Sequence, residues 1–264
     1  MHVVAVQLNM AWEDRVDNRR RAEDLLAAAH IPPDSLIVLP EMFESGFSMN
    51  VQQTVQSEQR EGEHCLRQLA ITYRSAVMGG VISPLGPGAT PGATPGSPTA
   101  ANEAVVFAPD GSQLARYRKQ QPFSGAGEQR CHVAGDRGEL FQWQGVRIAP
   151  LICYDLRFPE LFRSAVSDGA EMFVLIACWP SVRSEHWVRL LQARAIENLA
   201  LTVGVNRCGR EPNLQFDGRS AAFDHLGRPI FEADDREQVV HCDLDPAAMR
   251  AWRKDFPALR DRRL

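Results

Sequence analysis

Apolar residues along this chain gather in short runs, and the runs alternate with segments of helical spacing. The first run, His2 to Leu8, reads as a strand. After Trp12-Glu13-Asp14, the residues Val16, Leu25 and Leu26 stand among Arg and Ala at a spacing that predicts a helix with one apolar face, ended by Pro32-Pro33-Asp34. Ser35-Leu36-Ile37-Val38-Leu39 is a continuous apolar run closed by Pro40, the pattern of a strand covered on both faces. Glu41 is therefore expected just past a strand's carboxyl end. A helix from about Glu61 to Thr72 and a strand from Ala76 to Ile82 follow, then a hairpin made of Glu103 to Phe107 and Gln113 to Arg118 across Pro109-Asp110-Gly111-Ser112. Val146 to Ile152, a helix after Pro159 and Met172 to Ala177 read as a parallel β-α-β unit. Ser184 is placed to cap a helix from Glu185 to Leu199, with Trp187, Leu190, Leu191, Ala195 and Leu199 near helical spacing. Strands at Leu201 to Val205, Ser220 to Phe223 and Gln238 to Asp243 complete an α/β chain whose sheets are covered by helices.

Composition narrows this picture. With 264 residues, 44% hydrophobic and 23% charged, one domain spanning 1–264 is the expected organisation. Residues 85–101 carry an Ala-Thr-Pro-Gly near-repeat that can neither bury a core nor complete a ladder, and are expected as a surface excursion. An interdomain linker is the alternative, but the hairpin that follows continues the same sheet. The arginine-rich end, within 246–264, is expected as a solvated tail or dimer contact. A formal net charge of -4 and a pI near 6.0 offer no basic surface for nucleic acid or anionic lipid. No export signal and no span of about 20 apolar residues is visible, so a soluble cytoplasmic protein is expected. The six cysteines have no short repeated spacing and no C-x-x-C or H-E-x-x-H partner, which predicts reduced thiols and no metal site.

Three residues then carry candidate chemistry. Cys153 ends a buried strand at a turn toward a helix, where backbone N–H groups would favour a thiolate and could later receive an oxyanion; on its own, a buried inert cysteine is the commoner reading. Glu41 follows strongly apolar residues, where a carboxylate removed from water needs a partner, with Glu44 as its competitor. Lys119 ends the second hairpin arm and is one of only two lysines, with Lys254, in a chain rich in arginine. Arginine cannot replace a compact ammonium at a tetrahedral oxyanion without changing geometry.

Leu39-Pro40-Glu41-Met42-Phe43, Tyr117-Arg118-Lys119 and Cys153-Tyr154-Asp155-Leu156-Arg157-Phe158-Pro159-Glu160 together resemble the nitrilase superfamily of carbon-nitrogen hydrolases, as do Gln192 to Asn198 and Val205-Asn206-Arg207. The Cys-Tyr-Asp-Leu-Arg-Phe-Pro segment and Trp179-Pro180 are most similar to its ω-amidase branch. The resemblance implies a four-layer α-β-β-α sandwich, commonly dimeric, with the helices near Phe158 to Val166 and Glu185 to Leu199 at the interface. It also implies Glu41 as base, Lys119 as oxyanion cation, Cys153 as nucleophile and no cofactor. A second glutamate is implied between lysine and cysteine; Glu128 matches and Glu139 competes.

The implied reaction is hydrolysis of the terminal amide of a short dicarboxylic acid monoamide such as 2-oxoglutaramate. Arg157, Arg183 and Arg207 are candidates for holding its far carboxylate, and Tyr154 and Trp179 for walling the pocket; His186 is expected to pack or face solvent. Residues 120–127 depart from the family pattern, which leaves the contacts there open. The rivals are another amide or a nitrile as substrate (deaminated glutathione or a carbamoyl compound among them), a non-catalytic dimeric scaffold, and a thiol redox sensor.

Overall fold

A computed structural model describes residues 1–85 and 98–263. The centre of the expected surface excursion, 86–97, lies outside the described residues; its end is not on the surface, since Ala100 and Ala101 are buried in the first strand of the hairpin that follows, paired with Pro84 and Ser83. In chain order the elements are β1 (His2–Gln7), α1 (Arg15–Ala27), β2 (Leu36–Val38), the single turn α2 (Val51–Thr54), α3 (Glu61–Tyr73), β3 (Ala76–Pro84), β4 (Ala100–Phe107), β5 (Gln113–Arg118), β6 (Phe141–Trp143), β7 (Val146–Ile152), α4 (Pro159–Ser167), β8 (Met172–Ala177), α5 (Ser184–Asn198), β9 (Leu201–Asn206), β10 (Cys208–Arg210), β11 (Gln215–Asp217), β12 (Ala221–Phe223), β13 (Pro229–Glu232), β14 (Gln238–Asp243) and α6 (Pro246–Asp255).

Two six-stranded sheets carry the fold, one in the order β14-β1-β2-β3-β4-β5 and the other β13-β12-β9-β8-β7-β6. Each has a parallel centre, β1-β2-β3 in one and β7-β8-β9 in the other, with antiparallel strands outside. The two-residue period of a strand sorts its side chains into layers. In β1, Val3 and Ala5 pack with the second sheet, while Val4 and Val6 pack with Ala22 and Leu26 of α1 and Leu66 and Leu69 of α3. On the far side, Phe162 and Val166 of α4 and Trp187, Leu191 and Ala195 of α5 cover the second sheet. The result is the four-layer α-β-β-α sandwich, and because both faces of each central strand are covered, those strands read as unbroken apolar runs.

Some expectations fail for identifiable reasons. Val16, expected on the apolar face of α1, is 70% exposed. The buried face is Asn18, Ala22 and Leu26, with Asn18 inside because its amide bonds Ala11 and the Glu44 carbonyl. Ser184 does not cap α5; it lies within the helix and its Oγ accepts from Arg219 at 3.1 Å. The expected C-terminal tail contains α6, capped by Asp245 and started by Pro246. Met249 is buried there, and the Arg253 guanidinium donates to the carbonyls of Ala170, Asn198 and Leu199. Among the described residues, no helix is long and apolar enough to cross a bilayer.

Candidate active site

The chain segments that leave β2, β5, β7 and β8 converge at one edge of the sandwich. Pro40 ends the β2 run and Glu41 enters a tight turn in which Met42 takes φ 46°, a conformation that costs a non-glycine residue about 1–2 kcal/mol. Gly80 of β3 makes this turn possible. Its N–H donates to Pro40 O and its carbonyl accepts from Phe43 N, both at 3.1 Å, and a Cβ there would lie 2.5 Å from Met42 N and 2.6 Å from Glu41 Cα.

Glu41 and Glu128 are 0% exposed and Lys119 is 1% exposed. Burying three charges is tolerable only if each is paired. Lys119 Nζ donates to Glu41 Oε1 at 2.9 Å and to Glu128 Oε2 and Oε1 at 2.8 and 3.1 Å. Two carboxylates against one ammonium leave a surplus negative charge, and neutral donors absorb it. Asn102 Nδ2 reaches both Oε1 atoms, Cys178 N donates to Glu41 Oε2 at 2.8 Å and Phe123 N to Glu128 Oε2 at 2.6 Å. Burial alone would lower the Lys119 proton affinity, but the charges of Glu41 and Glu128 raise it well above the ordinary lysine value. For Glu128 burial pushes up, and the Lys119 charge with the Asn102 and Phe123 hydrogen bonds outweighs it, holding the carboxyl below its usual range.

Cys153 starts a five-residue 3-10 turn, Cys153–Arg157, with φ 47°. The α-helix begins at Pro159, as expected, so the backbone nearest the sulfur is that of the 3-10 turn. The surroundings of the sulfur work against the expected thiolate. Burial and then the Glu41 charge push the thiol well above the ordinary cysteine value, against the weaker pull of Lys119. A thiol so placed would need a base before it could act as a nucleophile.

Asp155 locks this turn to the lysine strand. It accepts from Ile152 N at 2.9 Å, from the Tyr117 hydroxyl at 2.8 Å and from Gln121 N at 2.9 Å, thereby tying β7 to β5. Burial raises its carboxyl to about 7, the three donors opposing that rise.

In front of Cys153 lies a cavity of about 480 Å³ lined by, among others, Cys153, Tyr154, Arg157, Cys178, Trp179 and Arg183. Four of the five residues expected to contact substrate, Tyr154, Arg157, Trp179 and Arg183, are thus on its wall. Arg157 lies over the Trp179 ring at 4.8 Å and Arg183 over Phe123 at 5.5 Å. Neither guanidinium has a carboxylate partner among the described residues. Arg207, the third candidate, is fully buried in an ion pair with Glu211 and does not line the cavity. Glu44 is taken by Arg19 and Arg15, Glu139 makes no bond to Lys119, and His186 is exposed, its Nδ1 3.2 Å from Arg157.

Sequence reasoning missed Asn102, Cys178, Phe123 and Phe47, whose ring centre lies 5.3 Å from Lys119 Nζ. Asn102-Glu103 is a polar pair inside the otherwise apolar strand β4, a signal that could have found the first. The others act through a backbone N–H or through ring position, which residue type does not disclose.

The carbon-nitrogen hydrolase family profile matches residues 2–254. The omega-amidase YafV of Yersinia enterocolitica is 34% identical over 99% of this chain and 96% of its own length. The 2-oxoglutaramate amidase of Paenarthrobacter nicotinovorans is 32% identical over 100% of this chain and 90% of its own. Among solved structures, the CN-hydrolase superfamily protein XC1258 of Xanthomonas campestris superposes with a TM-score of 0.88 at 33% identity, covering 100% of this chain and 97% of that one.

Proposed function

The chain belongs to the carbon-nitrogen hydrolase family, and from that premise we propose that it is an ω-amidase, releasing ammonia from the terminal amide of a short dicarboxylic acid monoamide such as 2-oxoglutaramate. Hydrolysis of a linear amide follows from the family; the substrate rests on the cavity. Two guanidiniums on aromatic rings, with no carboxylate of their own among the described residues, face the space in front of Cys153, and a guanidinium in that state fits a carboxylate in two-point fashion. That observation carries the reading, and relatives named for ω-amidase and 2-oxoglutaramate amidase activity support it.

In this mechanism Glu41 takes the thiol proton as Cys153 Sγ attacks the amide carbon. Lys119 holds the oxyanion together with the Tyr154 backbone N–H. Nζ gives one N–H to Glu41 and a second, shared between both oxygens, to Glu128, which leaves one N–H for the oxygen. The tetrahedral centre collapses, the C–N bond breaks, and the proton on Glu41 goes out with ammonia. Water then loses a proton to Glu41, adds to the thioester and displaces the sulfur, which recovers its proton as the carboxylate product leaves. Glu128 keeps Lys119 in place throughout and exchanges no proton. Tyr154 and Trp179 shape the acyl site, with Arg157 and Arg183 at its far end.

The reading includes two copies meeting through the outer faces of α4 and α5, where Ile196 is 48% exposed, and a reducing cytoplasmic setting in keeping with six free cysteines. Light scattering on the pure protein tests the dimer. The decisive panel is ammonia release from 2-oxoglutaramate, 2-oxosuccinamate, glutamine, asparagine and simple nitriles. Fastest turnover is expected on the two oxo-acid amides. Preference for a nitrile, or for an amide with no second carboxylate, overturns the substrate class.

A further inference from the structure

We propose that Asn102 is a positioning residue for the reaction, setting the geometry and charge of both glutamates through a single amide nitrogen. This rests on the reading of Glu41, Lys119 and Cys153 as reacting groups.

Asn102 lies on β4 opposite Ile82 of β3 and is 1% exposed. Its Nδ2 is 2.7 Å from Glu41 Oε1 and 2.9 Å from Glu128 Oε1. Lys119 Nζ reaches the same two oxygens at 2.9 and 3.1 Å. Two nitrogens and two oxygens thus form a closed four-membered array with like atoms at opposite corners. The array fixes the orientation of the amide, because turning it would aim Oδ1 at two carboxylates. It also spends both Nδ2 protons on the glutamates and leaves Oδ1 buried with no hydrogen-bond partner among the described residues. Leaving a buried acceptor unpaired is costly, so the side chain is held by what its nitrogen does.

The backbone ties the same residue to the cation, since Lys119 N donates to Asn102 O at 2.9 Å. One residue therefore spaces all three charged groups. A neutral double donor is what the array needs: a second cation would compete with Lys119, and a third carboxylate would place three negative groups around one ammonium. Loading Glu41 Oε1 from Asn102 and Lys119, with Cys178 N on Oε2, sets the plane in which Glu41 receives a proton.

Asn102→Asp changes one nitrogen to oxygen without changing shape. With a proton retained, the introduced carboxyl group can still donate to one glutamate; once ionised it repels both. The activity ratio of wild type to N102D is therefore expected to be smallest near pH 5 and to grow as pH rises, with kcat down about 100-fold at pH 8 and KM within about threefold. Asn102→Ser, which is shorter and donates once, is expected to lose kcat without the pH trend. Rates of Cys153 alkylation by iodoacetamide, read by intact mass, follow the same order without requiring turnover. A ratio flat between pH 5 and 9, or N102S with wild-type kcat, overturns the proposal. Cys153→Ala is assayed alongside: persistent ammonia release there defeats the underlying mechanism instead, whatever the Asn102 variants do.

Discussion

Behind Cys153, Glu41, Lys119 and Glu128 are sealed from water and matched atom by atom. In front of it, Arg157 and Arg183 line a cavity with aromatic rings beneath them and, among the described residues, neither is paired with a carboxylate; Glu211, which shares that wall, is held by Arg207. The rear cluster is organised before any substrate arrives, so the reaction meets fixed charges that need no rearrangement. The front is built to be completed by a ligand. By this contrast, substitutions behind the sulfur reduce kcat for every amide, while those in front alter KM according to which amide is offered.

The largest break is expected at the base. Glu41→Gln keeps the shape but cannot take the thiol proton, and should lower kcat by about 10³-fold on all amides tested; a loss confined to dicarboxylate amides would move Glu41 into the substrate-binding region. Gly80→Ala touches none of the charged groups, yet its Cβ would press on Met42 N and Glu41 Cα. A fall in kcat of about 100-fold is expected from that displacement, measured against melting temperature to separate it from unfolding.

His132 bears on the stability of the rear wall. Its backbone N–H donates to the Glu128 carbonyl and both ring nitrogens are buried with no partner among the described residues, and burial pushes its pKa down to about 4. Between about 6.5 and 4 the unfolded chain binds a proton that the folded protein refuses, so stability falls as pH falls through that window, by at most about 3 kcal/mol. His132→Leu should flatten this slope in thermal melts at pH 4 to 7. An unchanged slope would place the acid sensitivity elsewhere. The front wall gives the smallest effects: Arg157→Ala or Arg183→Ala should raise KM for 2-oxoglutaramate about 10-fold, and leave KM for a simple monoamide within about twofold.

The same division explains what was legible in the sequence. Val146 to Ile152 and Met172 to Ala177 have the strand bounds read from their apolar runs, because strands covered on both faces write their burial in every residue. Glu41 and Cys153 stand out as polar or reactive residues at the ends of such runs, and Lys119 as one of two lysines in a chain rich in arginine. The short β6, the β10–β11 hairpin and β13 bury too little to leave a period. α1 misled because its buried face begins with Asn18, whose burial depends on a hydrogen bond to distant Glu44. The upward shift of the Cys153 thiol was legible only in part: burial, its largest cause, is written in the apolar run before it, but the charge that adds to it comes from Glu41 on the other sheet.

The central claim is that the rear cluster acts through a covalent bond to Cys153. Rapid acid quench of the protein with 2-oxoglutaramate, followed by intact and peptide mass analysis, tests it directly. The account predicts ammonia release with an acyl mass on the Cys153 peptide for wild type, and neither for Cys153→Ala. Undiminished ammonia release by Cys153→Ala would contradict it.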